Sequence, residues 1–194
     1  GVLYAAARNG ARYAALLAAD SDRPRRLEEE GIGVAGTRFT YAVGTLVLWS
    51  ADPELAGSDC RSVLDSLGKR RLAIANPVTA PYGAAAQAFL RQADLWDAVE
   101  GNLVFGQNIA QTLQFVATRN ASIGLVAASQ LHSPQLPDAT CQWPVPAELH
   151  PAIEQQAILL HAGKSHDAAT AFLDFIRGPQ GRAIIEAQGY GVPD

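Results

Sequence analysis

Several features that would place this chain in a familiar class are scarce or missing. It has no methionine, only two cysteines, 7% aromatic residues and 18% charged residues. Its formal net charge is −4, so the sequence offers no basic field for nucleic acid or for an anionic membrane surface. No apolar run reaches the ~18 residues of a transmembrane helix. With 48% hydrophobic residues in 194, the chain can still build a sizeable globular core.

Motifs for catalysis and metal binding are also missing. The sequence has no GxSxG elbow and no Walker loop, and its four histidines form neither an HxH nor an HExxH pair. Cys60 and Cys141 lack metal-ligand spacing, and they are either a disulfide or two unrelated thiols. We therefore expect a protein that is not an enzyme, has no cofactor and binds no metal through direct side-chain ligation.

Apolar runs of strand length alternate with helical segments along the chain. This alternation predicts an α/β fold with a largely parallel sheet in each of two lobes. The run Arg38–Ser50 is long for one strand, and Gly44 near its middle predicts a kink or a crossing between lobes. The predicted strands lie in 13–18, 38–50, 71–75, 102–105, 121–127 and 155–160, and the predicted helices lie in 23–30, 62–68, 84–90, 95–99, 170–177 and 180–187, with another beginning near 109.

Two strand-to-helix turns are the best candidates for a binding site. One spans Ala75–Gly83, with two prolines and a glycine, and the other opens a helix at Asn108-Ile109. The first NH groups of a helix lack intrahelical partners, and the helix dipole favours an anion there. Neither turn contains Lys or Arg, so a site of neutral donors would suit a fully ionised tetrahedral oxyanion. The alternative is a pair of ordinary connections that bind nothing.

Motifs in a fixed order along the whole chain resemble the periplasmic molybdate-binding proteins of ABC transporters. They are Phe39-Thr40-Tyr41-Ala42 with Leu46-Val47-Leu48-Trp49-Ser50, Asn76-Pro77 with Ala80-Pro81-Tyr82-Gly83, Gly106-Gln107-Asn108-Ile109, Gly124-Leu125-Val126-Ala127-Ala128-Ser129-Gln130, Pro151-Ala152-Ile153-Glu154-Gln155 and Gly189-Tyr190-Gly191-Val192-Pro193. The resemblance implies a type II periplasmic-binding-protein fold, with two α/β lobes joined by two crossing strands.

The resemblance also implies lobes, site residues and a hinge. The first lobe would comprise 1–43 and 157–194, and the second 44–156. Tyr82 and Ile109 would donate backbone NH groups to the oxyanion, with Gly1 and Asn108 as possible neighbours. Closure of the lobes would hinge at Tyr41, Gly44 and Gln155. Some members of the family add a tyrosine hydroxyl on a later strand, where this chain has Ala127.

The ligand implied by the resemblance is molybdate or tungstate, bound in a cleft between the lobes. A membrane ABC permease would be the partner, the location would be the periplasm, and the full-length protein would be a monomer. Two alternatives remain open: a sulfate- or phosphate-type anion-binding protein, and the ligand-sensing effector domain of a regulator. The absence of a basic segment and of a helix-turn-helix pattern argues against the regulator.

The resemblance further suggests that a segment precedes Gly1. Members of the family usually begin with a βαβ segment and a Ser-Ser-Gly turn that contributes ligand hydroxyls, and this chain begins at the glycine of that turn. The absence of methionine agrees with a sequence that is not an intact translation product. We therefore expect the 194-residue chain alone to bind molybdate weakly or not at all.

Overall fold

The computed structural model describes residues 2–193. The chain forms two compact units, unit 1 (Gly1–Val43 with Ile153–Asp194) and unit 2 (Gly44–Ala152). The boundary between Ala152 and Ile153 lies at the start of the strand Ile153–Leu159. The lobe boundary expected from the sequence, between residues 156 and 157, lies inside this strand. The assignment of lobes that move against each other stays a prediction.

Unit 1 is a three-stranded sheet with helices on both faces. Its elements are α1 (Val2–Arg8), β1 (Ala15–Ala18), α2 (Asp22–Glu29), β2 (Phe39–Gly44), β8 (Ile153–Leu159), α7 (Asp167–Arg177) and α8 (Pro179–Ala187). The strand order in the sheet is β1-β8-β2, and β1 and β8 are antiparallel with Leu16 opposite Ile158.

Strand β8 supplies apolar side chains to both faces of this sheet. Ile158 packs in a cluster with Leu27 of α2, whereas Ala157 and Leu159 pack with Leu173 of α7. Successive side chains of a strand point to opposite faces, so one apolar strand can hold helices on both sides. This double burial explains why residues 157–160 are a continuous apolar run.

The chain end is tied to the end of β2. Val43 donates to the carbonyl of Gly191 at 2.7 Å, and Gly191 donates back to Val43 at 2.8 Å. Gly189 precedes this bridge with a φ of 80°, a conformation that glycine adopts without steric penalty. The terminal Gly-Tyr-Gly motif thus lies beside the point where the chain leaves unit 1.

Unit 2 contains a five-stranded sheet and its helices. Its elements are β3 (Leu46–Ser50), α3 (Cys60–Asp65), β4 (Leu72–Ala75), α4 (Pro81–Gln92), α5 (Trp96–Val99), β5 (Leu103–Gly106), α6 (Ile109–Ala117), β6 (Ile123–Ala127) and β7 (Cys141–Pro144). The strand order in the sheet is β5-β4-β6-β3-β7. Strand β4 pairs in parallel with β5 and β6, and β3 pairs antiparallel with β6 and β7.

The α/β class is confirmed, but the expectation of a mostly parallel sheet in each lobe is wrong in its detail. Helix crossovers return the chain to the same end of the sheet, and they make β4, β5 and β6 parallel. Strand β3 is instead reached directly from β2 through Thr45, and it runs against its neighbours. The sheet of unit 2 is therefore mixed, and in unit 1 the pair of β1 and β8 is antiparallel as well.

Helices α4 and α6 follow β4 and β5 and lead to opposite sides of β4 in the strand order. Right-handed crossovers of this kind place the two helices on opposite faces of the sheet. Leu113 and Val116 of α6 pack with Val47, Ala73 and Val126, and α4 buries Phe89 and Leu90 completely. Helices therefore pack on both faces of this sheet and leave the ends of its strands uncovered.

Strand β7 closes one edge of unit 2 and carries a disulfide. Its register places Leu48 opposite Trp143, and Cys141 is bonded to Cys60 at the start of α3, with the two Cα atoms 5.4 Å apart. Trp143 also packs 5.8 Å from Phe89, measured between ring centroids. The sequence alone left the disulfide open and did not predict β7, because residues 132–147 read as a series of proline-containing turns.

We expect the disulfide to stabilise unit 2. It closes a sequence separation of 81 residues, so the double variant Cys60→Ser/Cys141→Ser should lose about 2–4 kcal/mol of the free energy of unfolding. All three tryptophans, Trp49, Trp96 and Trp143, lie in unit 2, and urea unfolding followed by tryptophan fluorescence therefore reports on this unit.

The double variant also provides the control for chemical reduction. A reducing agent should lower the urea midpoint of the wild-type protein and leave that of the double variant unchanged. An unchanged wild-type midpoint, with both thiols shown to be free by labelling, would contradict the stabilising role.

Candidate functional site

The two turns singled out from the sequence lie at the same edge of the sheet of unit 2. Strands β4 and β5 are parallel neighbours and end in register, with Ala75 opposite Gly106. Just beyond this pair, the backbone NH of Asn76 donates to the carbonyl of Gly106 at 2.8 Å. The chain therefore turns into α4 and into α6 from adjacent points, and both helices begin at the carboxyl edge of the sheet. This edge is where α/β proteins bind ligands.

Asn76 organises the turn that leads into α4. Its side-chain oxygen accepts from the NH of Val78 at 2.9 Å, and its carbonyl accepts from Thr79 at 3.2 Å and from Ala80 at 2.9 Å. Ala80 is extended, which is the conformation preferred before a proline. Pro81 then opens the helix at the position where a missing NH group has no consequence.

The first turn of α4 lies very close to the end of β4. The carbonyl of Ala80 accepts from Gly83 at 2.9 Å and from Ala84 at 3.0 Å, and Tyr82 is the second residue of the helix, with 5% of its surface exposed. A Cβ on Gly83 would lie 2.3 Å from the carbonyl oxygen of Ala75. Only glycine allows this approach.

Helix α6 begins with a side-chain cap and two backbone donors. Asn108 accepts from the NH of Gln111 at 2.9 Å, and the side chain of Gln111 accepts from the NH of Gln107 at 2.7 Å. Within residues 2–193, the backbone NH groups of Ile109 and Ala110 have no hydrogen-bond acceptor. These two amides remain able to donate to a ligand.

The electrostatics of the two helix starts favour an anion. Helices α4 and α6 have no acidic residue in their first turn, whereas α2 and α7 carry Asp22 and Asp167 there and α3 is capped by Asp59. An acidic side chain would neutralise the positive end of the helix dipole. Segments 76–84 and 106–112 also contain no Lys or Arg, so the donors at this edge are neutral.

The structure places Tyr82 and Ile109 at one sheet edge, and their binding of an oxyanion stays a prediction. The side-chain oxygen of Asn108 is used in the helix cap, and Gly1 lies outside the described residues. Strand β6 ends at the same edge with Ala127, whose side chain has no hydroxyl to donate to a ligand. Sequence reasoning missed the NH of Ala110, which its place in the first turn of a predicted helix could have indicated.

Two of the predicted hinge residues are in contact within unit 1. The hydroxyl of Tyr41 donates to the side-chain oxygen of Gln155 at 3.0 Å, and burial, with a contribution from Tyr190, raises the pKa of Tyr41 to about 12. The hydroxyl therefore stays protonated at neutral pH and keeps donating. Gly44, the third predicted hinge residue, is buried at the end of β2. That these residues form a hinge stays a prediction.

Residues 2–193 contain no group of three or more His, Cys, Asp or Glu side chains placed to hold a metal ion. In the same range, no helix has the length and hydropathy required to cross a membrane. Gly31–Gly36 matches a GxGxxG pattern, but it follows helix α2 and precedes strand β2, the reverse of the order found in dinucleotide-binding sites.

The chain matches the family of bacterial extracellular solute-binding proteins over residues 1–191, and it belongs to this family. It is 46% identical over 192 residues to a molybdate-binding protein ModA of Azotobacter vinelandii, covering 99% of this chain and 76% of that protein. The molybdate-binding protein ModA of Rhodobacter capsulatus is 41% identical over 190 residues, covering 98% and 73%.

Solved structures agree with this relationship. The periplasmic molybdate-binding protein of Azotobacter vinelandii superimposes with a TM-score of 0.87 at 35% identity, covering 100% of this chain and 84% of that one. The substrate-binding domain of a putative molybdenum ABC transporter from Clostridium difficile has a TM-score of 0.80 at 24% identity and supports the fold alone. The resemblance and the type II periplasmic-binding-protein fold predicted from the sequence are confirmed.

We expect Gly83→Ala to destabilise unit 2, because the new Cβ would overlap the Ala75 carbonyl oxygen and push the start of α4 away from β4. Overpacking of this kind costs about 1–3 kcal/mol of the free energy of unfolding, measurable by urea unfolding with tryptophan fluorescence. Gly101→Ala is the matched control, since no atom lies within 4 Å of its added Cβ. Equal effects of the two substitutions would contradict the close-approach argument.

Proposed function

We propose that this protein binds molybdate or tungstate at the carboxyl edge of unit 2. The observation that carries the proposal is the pair of adjacent helix starts, α4 and α6, which offer neutral NH donors without a neighbouring acid or cation in their first turns. Tyr82 and Ile109 donate from the two helices, and Ala110 adds a further NH. The names of the two ModA relatives support this choice of ligand.

The chemistry of the donors favours a fully ionised oxyanion. Segments 76–84 and 106–112 contain no Asp or Glu, so a protonated anion finds no carboxylate there to accept its proton. A dianion such as molybdate carries only acceptor oxygens and matches a set of donors. Monohydrogen phosphate would have to place its hydroxyl against an NH group, and this mismatch discriminates against it.

The role we propose is transport and not catalysis. The protein captures the oxyanion in the periplasm as a monomer and delivers it to a membrane ABC permease. The membership of the extracellular solute-binding family supports this role. Tyr41, Gly44 and Gln155 serve as the hinge for closure on the ligand, and the bond between Tyr41 and Gln155 holds the two strands together at that point.

Competition experiments test the ligand directly. In calorimetric titrations of the natural gene product that contains this chain, we expect molybdate and tungstate to bind, and sulfate and phosphate to leave the molybdate isotherm unchanged at equal concentration. Displacement of molybdate by sulfate would move the protein to the sulfate-type class. No binding of any tetrahedral oxyanion would overturn the proposal.

A proline substitution tests the NH of Ile109 without removing the helix. Pro is favoured at the first position of a helix, and Asn108 is extended, as the residue before a proline must be. Ile109→Pro should therefore keep α6 and lose one hydrogen bond to the anion. A bond to a charged group contributes about 1.5–3 kcal/mol, so molybdate should bind about 10- to 150-fold more weakly.

Ile109→Val is the matched control, because it keeps the NH group and the β-branched shape. Its affinity for molybdate should stay within about twofold of the wild type. Circular dichroism of both variants verifies that the helix content is unchanged. If Ile109→Pro binds as tightly as Ile109→Val, the NH of Ile109 does not contact the ligand.

A further inference from the structure

A basic pocket that is open to solvent lies at the other edge of the sheet of unit 2, where β4 and β6 begin. It has a volume of about 430 Å³ and is lined by Lys69, Arg70, Arg71 and Arg119, with Asn120 and Ser122 beside them. The NH of Ser122 donates to the carbonyl of Arg71 at 3.1 Å, which joins the two segments that form the pocket. The donor edge proposed for molybdate is at the opposite ends of these strands.

The charge of the pocket is unbalanced. Its single acidic residue is Glu54, which lies 3.8 Å from a terminal nitrogen of Arg70 and is largely exposed. Within the described residues, Lys69, Arg71 and Arg119 take part in no ion pair. The pocket thus has three formal positive charges in excess, in a chain whose net charge is −4. Like charges brought together in this way repel one another unless an anion lies between them.

Arg70 is the least exposed of the four cations, with 38% of its side chain exposed. Its Nε atom is buried, and no acceptor lies within hydrogen-bond distance of it in the described part of the chain. A buried donor of a charged group that lacks an acceptor is unfavourable. The same atom is closed to solvent and therefore to a bound anion, which would instead contact the terminal nitrogens of the guanidinium group and could bind them through two parallel bonds.

We propose that this pocket is a second anion site, specific for a phosphate-bearing compound with at least two negative charges. The three arginines suit the oxygens of phosphate groups, and the volume is in the range of about 300–1,000 Å³ typical of small-ligand sites. A free phosphate compound and the headgroup of a phospholipid share this chemistry. The site differs from the molybdate edge in kind, because it attracts its ligand with full charges and not with neutral donors.

The two sites are separate, so both ligands should bind at the same time. The probe is inorganic pyrophosphate, titrated by calorimetry into the natural gene product with and without saturating molybdate. We expect one pyrophosphate per chain in both cases, with an affinity that falls about tenfold between low and physiological salt because exposed charges are screened. Mutually exclusive binding of pyrophosphate and molybdate would overturn the assignment to this pocket.

Paired variants separate this pocket from general electrostatics. Arg71→Gln/Arg119→Gln should weaken pyrophosphate binding about tenfold or more, since two charge-assisted bonds are lost, and should leave molybdate binding unchanged. Arg12→Gln/Lys164→Gln removes the same charge from exposed positions of unit 1 and should change pyrophosphate binding less than about twofold. Equal losses in the two double variants would show that binding is nonspecific.

Two further measurements complete the test. Lys69→Gln, a single exposed substitution, replaces the double variant if thermal unfolding shows that the latter is not folded, and it should also weaken pyrophosphate binding. Flotation with vesicles of phosphatidylglycerol, compared with phosphatidylcholine, distinguishes a lipid headgroup from a free phosphate compound. Absence of binding to both pyrophosphate and the anionic vesicles, or preferential binding of an acidic peptide, would contradict the proposal.

Discussion

The parallel pairing of β4 and β5 is the constraint on which the donor edge depends. Because Ala75 and Gly106 end in register, the bond from Asn76 to Gly106 brings two chain reversals to neighbouring points, and each reversal opens a helix. Two glycines make this geometry possible. A Cβ on Gly106 would lie 2.5 Å from the hydroxyl of Thr112, and Gly83 is equally restricted by Ala75. The donors are therefore positioned by the backbone and not by long side chains.

A site of this kind selects its ligand by geometry and protonation. NH groups at helix starts carry partial charges in fixed directions, so they stabilise an anion without the conformational freedom of Lys or Arg. They also produce little field at a distance, and a chain with a net charge of −4 does not attract anions from afar. Such a site therefore discriminates among the anions that reach it and does not gather them from a distance.

Local signals predicted the parts of the fold that local chemistry determines. Asn76, Pro81 and Gly83 mark the turn into α4. Asn108 caps α6, and Gly44 marks the break between β2 and β3. Strand direction was not predictable in this way, since it depends on which strands become neighbours. The same holds for β7, whose four residues lie among prolines, and for the bond between Cys60 and Cys141, which joins residues 81 positions apart. The basic pocket likewise combines residues 69–71 with Arg119, which only the pairing of β4 with β6 brings together.

The polarity of the parallel strands accounts for the two different edges of this sheet. Helices that follow parallel strands begin at the carboxyl edge and end at the amino edge, so one edge collects positive dipole ends and the other collects negative ends. Arg119 lies just after α6 and Lys69 follows α3, where cations are favoured by the helix ends. The dipoles explain why cations gather at the amino edge. The pocket differs from an ordinary basic surface in its charge balance, since four cations line it together with a single acid, Glu54.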